Sequence, residues 1–240
     1  RTAVYDQDDI VRRTAKRLVG SRSGFDYRLG RRNPFRRHWL VKDPTAPFIL
    51  SVDPAPLDAA VLLLRHPDAV TESHRRIGWD ASDDCRRVAE AVRDLSVSPE
   101  TVDFFARRWP DEGVESRVAA LWRCAVEVAE ASPIERLTIV RYEDLASRPS
   151  SALPALARST GLPFGRTARA RLSWMTSGHR GVRRTGRTQQ LRRNPAAIVR
   201  TAGSSLTDVE RGRIRDIGGE ALDRWYPFDD RTVGPPEQER

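Results

Sequence analysis

Three short apolar runs constrain this chain more than any other feature. His38–Val41, Ala60–Leu64 and Leu137–Val140 are each of strand length, and each gives way at once to polar residues. The polar ends read Lys42-Asp43-Pro44, Arg65-His66-Pro67 and Arg141-Tyr142-Glu143-Asp144. An uninterrupted apolar run such as Ala60–Leu64 suits a buried strand of a parallel sheet. Helical stretches separate the runs. Asp8–Val19 carries a helical stripe, Asp68 is placed to cap a helix reaching about Ile77, and 83–131 reads as helical with breaks near Pro99 and Pro110. Within that stretch Val114, Val118, Leu121, Trp122, Ala125 and Val128 recur on one helical face. Further helices are predicted over Ser151–Ser159 and over Leu206–Trp225, the latter capped by Thr207, whereas 165–205 shows little periodicity. Short strands spaced by long helices predict an α/β domain, a parallel sheet flanked by helices on both faces. Ligands of such sheets bind beyond the carboxyl ends of the strands. The three polar strand ends are therefore the first places to look for function.

Composition narrows the classes. The chain has 240 residues, 39% of them hydrophobic, enough for one domain with a real core. We read 1–230 as a single domain and 231–240 as a charged tail. No apolar run approaches the roughly 18 residues of a membrane span, and the start carries no signal-peptide pattern. The net charge is +9, and forty of the 42 basic residues are arginine. The basic residues are spread along the chain and mixed with acids, so a small phosphorylated ligand is expected rather than nucleic acid. Cys85, Cys124 and the four histidines lack metal-ligand spacing, so no metal is expected. Two reduced thiols fit a cytoplasmic protein.

Arg65 and Ser73 form the first motif. A buried strand delivers Arg65 to the sheet edge, and Ser73 follows eight residues later on the next helix. A guanidinium fork matches phosphate oxygens and a hydroxyl adds a further hydrogen bond, so the two are placed to grip one phosphate. The alternative is an Arg65 paired with Asp68 or Glu72 and a solvated serine.

The run from Val61 to Ser73, with its apolar strand, Arg65, Pro67 and Ser73, resembles the 3′-phosphate-binding segment of sulfotransferases that use 3′-phosphoadenosine 5′-phosphosulfate (PAPS). The continuation His74 to Trp79 is similar to bacterial members. Leu137 to Leu145 resembles that family's strand ending in Tyr-Glu-Asp-Leu, and Trp39 to Pro44 resembles its catalytic strand end. The resemblance spans about residues 39 to 226 and implies a fold related to P-loop nucleotide kinases. It implies transfer of a sulfonate from PAPS, the co-substrate, to a hydroxyl or amine of a small-molecule or glycan acceptor. Arg65 and Ser73 would bind the 3′-phosphate and Tyr142 would line the adenine pocket. Arg184 and Arg187 would belong to a basic loop closing over the 3′-phosphate. Lys42 would neutralise the transferred sulfonate, and Asp43 would orient or deprotonate the acceptor. Many animal members place a histidine base where Pro44 stands. The acceptor pocket is expected within 80–130. The family's opening strand and phosphosulfate loop have no counterpart after Arg1. Gly20 to Gly24 shares Arg-Ser-Gly with that loop but follows a helix, so the loop is expected upstream and the chain as given is expected to turn over weakly or not at all. Two other readings compete: a nucleotide or small-molecule kinase of related fold, and a basic nucleic-acid-binding module.

Overall fold

The structure, a computed structural model, describes residues 59–176 and 205–227. Two strands, β1 (Ala60–Leu64) and β2 (Leu137–Arg141), pair in parallel with Leu62 opposite Ile139 and Leu64 opposite Arg141. Between them come α1 (Pro67–Arg76), α2 (Ser82–Ala91), α3 (Pro99–Asp103) and α4 (Val114–Glu130). A π-helical turn and a 3₁₀ turn join α3 to α4. After β2 follow α5 (Tyr142–Ser147), α6 (Pro149–Ser159), α7 (Arg166–Thr176) and α8 (Asp208–Trp225). The fold is helix-rich, with a small parallel sheet flanked by helices, in keeping with an α/β class.

α4 is the central element because it is apolar on two sides. Ala120, Cys124 and Val128 meet Cys85, Val88, Val92, Phe104 and Phe105 from the preceding helices. Ala119, Trp122 and Val126 meet Leu64 of the sheet and Leu206, Ile214 and Leu222 of the closing segment. The alanines let neighbouring helices approach closely, and each fully buried large side chain stabilises by about 1.5–3 kcal/mol. Period 2 in β1 turns Leu62 and Leu64 inward to this second cluster and leaves Val61 and Leu63 on the other face, 41% and 50% exposed. On that same face Thr138 meets the end of α6, its hydroxyl donating to Ser159 at 3.2 Å.

Local chemistry sets the ends of the helices. α8 begins with a capping box: the Thr207 side chain accepts from the Glu210 N–H, and the Glu210 carboxylate accepts from the Thr207 N–H. α3 begins at Ser98, with Pro99 in the first helical position. α1 departs from the sequence expectation. Its cap is His66, whose Nδ1 accepts from the Asp68 N–H at 3.2 Å, while Asp68 lies inside the first turn and is buried. Proline at the first position moves the helix start one residue ahead of the aspartate. Two helices are absent from the sequence reading. α5 turns directly out of β2, with Glu143 and Asp144 in its first turn, where the helix dipole favours them. α7 falls where little periodicity is visible. Its alanines and arginines are good helix formers, but its described side chains are mostly exposed and leave no apolar stripe to read.

Candidate functional site

The parallel register decides which strand ends meet. Leu64 lies opposite Arg141, so the next residues, Arg65 and Tyr142, leave the sheet side by side at its carboxyl edge. The Arg65 guanidinium lies 5.4 Å from the centroid of the Tyr142 ring. Arg65 forms no ion pair among the described residues, so neither Asp68 nor Glu72 neutralises it there. Cation–ring attraction at a half-exposed position contributes only about 0.5–1 kcal/mol. The guanidinium therefore keeps most of its capacity to bind an anion.

A second layer holds this edge in place. The Glu143 carboxylate accepts from the His66 backbone N–H at 3.0 Å and from the Tyr226 hydroxyl at 2.7 Å. One side chain thus ties the end of β1, the end of β2 and the end of α8. The His66 ring stands edge-on to Tyr226, with centroids 4.8 Å apart. Arg141 grips Asp144 through two bonds, of 2.7 and 3.0 Å, and donates to the Trp225 carbonyl at 3.3 Å. The Arg141 hydrogen bond holds the Asp144 carboxyl below its usual range, against the opposing effect of burial. Burial, reinforced by the Glu143 charge, pushes the Tyr226 phenol far up, so it remains a donor at any ordinary pH. The sequence offered only a weak signal for Glu143 and Tyr226: acidic residues directly after a strand, and an aromatic pair closing the last helix.

The start of α1 also faces this edge, but its first N–H groups are already used. Pro67 has none, His66 Nδ1 takes that of Asp68, and the His66 carbonyl takes those of Ala69 and Val70. An anion at this edge therefore gains no N–H from the first turn of α1, and Arg65 is the cation placed beside it. Ser73 lies six residues into α1, about 9 Å along its axis from Pro67. Its hydroxyl accepts from Arg76 at 3.2 Å and makes no bond to Arg65. The structure thus brings Arg65 and Tyr142 together, and Ser73 lies on α1, the helix that follows Arg65. Lys42, Asp43, Arg184 and Arg187 lie outside the described residues. A pocket of about 400 Å³ adjoins the edge, lined by Val140, Arg141, Asp144, Trp225 and Pro227. It shares the second layer without containing Arg65 or Tyr142. Among the described residues no group of His, Cys, Asp and Glu is placed to hold a metal. Chemically, the edge offers a cation with no counter-ion among the described residues, beside a flat aromatic face. No protein-family model matches the chain, and neither the curated proteins nor the solved structures include a significant match.

Proposed function

We propose that this protein is a PAPS-dependent sulfotransferase that holds the adenosine 3′-phosphate end of its co-substrate at the carboxyl edge of β1 and β2. One observation supports the reading above the others: the in-register pairing that sets the Arg65 guanidinium, unpaired among the described residues, beside the Tyr142 ring. A phosphorylated purine needs those two groups side by side, a cation for the phosphate and a flat apolar face for the base. In this reading the nucleotide displaces the guanidinium from the ring. The base takes the aromatic face and Arg65 turns to the 3′-phosphate, with Ser73 as a second donor from α1. Arg184 and Arg187 close over the same phosphate. Lys42 neutralises charge on the transferred sulfonate. An acceptor oxygen or nitrogen attacks sulfur, the bond from sulfur to the 5′-phosphate oxygen breaks, and Asp43 takes the acceptor proton. Adenosine 3′,5′-bisphosphate is released. As in phosphoryl transfer, positioning and charge stabilisation carry most of the acceleration. Localisation in the cytoplasm belongs to the same proposal.

Calorimetry with adenosine 3′,5′-bisphosphate, adenosine 5′-monophosphate and ATP with magnesium tests it. The bisphosphate is expected to bind tightest, and Arg65→Ala to weaken it by about 1.5–3 kcal/mol, the scale of a charged hydrogen bond. Equal affinity for the monophosphate and the bisphosphate, or an Arg65→Ala variant that binds like the parent, would sink the assignment.

A further inference from the structure

The charge of this chain is not evenly mixed. From Leu145 to Thr207, 63 residues carry twelve arginines and no aspartate or glutamate. Twelve of the 42 basic residues lie there, and the other 30 face all 33 acids, which leaves the rest of the chain at −3. The whole positive excess therefore belongs to one stretch. The structure shows the consequence. Outside this stretch arginines are widely neutralised: Arg75 and Arg213 by Glu115, Arg86 by Asp83, Arg107 by Asp103, Arg117 by Asp80, Arg211 by Asp208 and Arg224 by Glu130. On α6 and α7 the pattern reverses. Arg158, Arg166, Arg169 and Arg171 are exposed and form no ion pair among the described residues. Arg136, also exposed and unpaired among the described residues, stands beside the turn that joins these two helices, near Gly161.

These side chains share one region. The end of α6 is fixed to the start of β2 by Thr138 and Ser159, the turn at Gly161 follows, and α7 packs back against α6. Tyr142 lies four residues beyond Thr138, about 13 Å along the strand. The free arginines thus gather at the amino end of β2, opposite the edge that carries Arg65 and Tyr142. We propose that this face, built on Arg136, Arg158, Arg166 and Arg169, docks the phosphate backbone of a nucleic acid. A field of exposed, unpaired cations on convex helices suits an extended polyanion. Neutralising a dense line of phosphates releases condensed counter-ions, and that gain requires no shaped pocket. Arg166 and Arg169, three residues apart, have Cβ atoms about 5–6 Å apart on one face of α7 and can meet neighbouring phosphates. A bilayer surface fits less well, because membrane-bound helices set a broad exposed apolar face beside their basic one, and over 166–173 the apolar Ala168 and Leu172 of α7 are half-buried. The sequence expectation of no nucleic acid rested on charge spread along the chain, and the proposal departs from it on the strength of the sorted charge.

The test uses fluorescence anisotropy of the whole chain with a labelled 20-base-pair DNA duplex and a 20-nucleotide RNA at low and moderate salt. Two triple variants remove the same net charge: Arg158→Ala with Arg166→Ala and Arg169→Ala, and, as control, Arg86→Ala with Arg107→Ala and Arg211→Ala. The first set is expected to weaken binding at least tenfold and to lower the slope of log affinity against log salt by about two to three. The control set is expected to change affinity less than threefold. Circular dichroism melts establish that both variants fold. Adenosine 3′,5′-bisphosphate is expected to leave the nucleic acid bound, since the two faces are separate. Equal losses in the two triple variants, no binding at low salt, or tighter binding to phosphatidylserine vesicles or to a sulfated polysaccharide than to either nucleic acid would each overturn the proposal.

Discussion

Glu143 shows what a single residue does here and why it escaped the sequence. Arg65 and Tyr142 were legible because each follows an apolar run directly, and parallel strands bring equivalent ends together. The partners of Glu143 come from 77 residues upstream, at His66, and 83 residues downstream, at Tyr226, and no local pattern announces pairs at that separation. The hydroxyl of Tyr226 is the testable part. Tyr226→Phe leaves a carboxylate oxygen without its donor, so a loss of about 1.5–3 kcal/mol in urea denaturation is expected. Tyr142→Phe removes a hydroxyl that makes no hydrogen bond among the described residues and is expected to stay within about 0.5 kcal/mol. If the two variants melt alike, Glu143 does not tie the strand ends as described. The buried thiols make a second residue-scale case. Burial pushes Cys85 and Cys124 up to about 12, so at pH 8 almost no thiolate is present. Neither is expected to react with iodoacetamide at pH 8 until denaturant unfolds the chain. Rapid labelling of the folded protein, read by mass spectrometry, would contradict that burial.

At the scale of elements, helix starts were legible where the cap is a local sequence event. Thr207 and Glu210 stand three apart and specify the start of α8 by themselves. What the sequence hid is that α8 is broken inside. Gly219 has φ 50° and ψ −145°, a region open to glycine alone, so the helix consists of two arms. The break is supported from α4. Arg123 donates to the Ile217 carbonyl at 3.2 Å, and its Nε binds Glu127 at 2.7 Å. Burial pushes the Glu127 carboxyl up, but hydrogen bonds from Arg123 and Ser98 outweigh it and leave the group below its usual range. Gly218-Gly219 reads as two poor helix formers, and a tertiary arginine is needed to see a kink. Gly219→Ala is expected to cost about 1–3 kcal/mol through backbone strain, because its Cβ would also lie 3.2 Å from Arg123 Nη1. Gly212→Ala, in the same helix with open space around it, is expected to stabilise slightly, by up to about 1 kcal/mol. Thermal melts of the two variants should move in opposite directions. A Gly219→Ala protein as stable as the parent would mean that α8 runs straight.

For the whole molecule, arginine–carboxylate pairs tie α1 and α8 to α4. Buried Glu115, at the start of α4, accepts from Arg75 of α1 at 3.1 Å and from Arg213 of α8 at 2.9 Å. Glu210 accepts from the same Arg75 and is held down to about 2 by that hydrogen bond. A carboxyl depressed in the folded state contributes stability above its unfolded value near 4.5, and that contribution is lost as pH falls toward about 2. His74 adds an earlier step of the same sign. It lies on α1, stacked on Trp79 with ring centroids 5.2 Å apart, and its Nδ1 is buried without a hydrogen-bond partner. Desolvation lowers its pKa from 6.5, and the nearby Asp84 charge only partly opposes this. Below 6.5 the unfolded chain therefore takes up a proton that the folded imidazole refuses, and stability falls. The slope of that step cannot exceed about 1.4 kcal/mol per pH unit for one proton. Urea midpoints measured from pH 8 to pH 3 should show a plateau above about 6.5, a shallow decline below it, and a steeper one below about 4.5 as the carboxylates protonate. His74→Phe keeps a stacking ring and removes the titration, so it should erase the shallow decline and leave the steep one. If the shallow decline persists in His74→Phe, another group titrates there and His74 is not the source; if the parent shows no decline between pH 7 and 5.5, the ring is not desolvated in the folded protein.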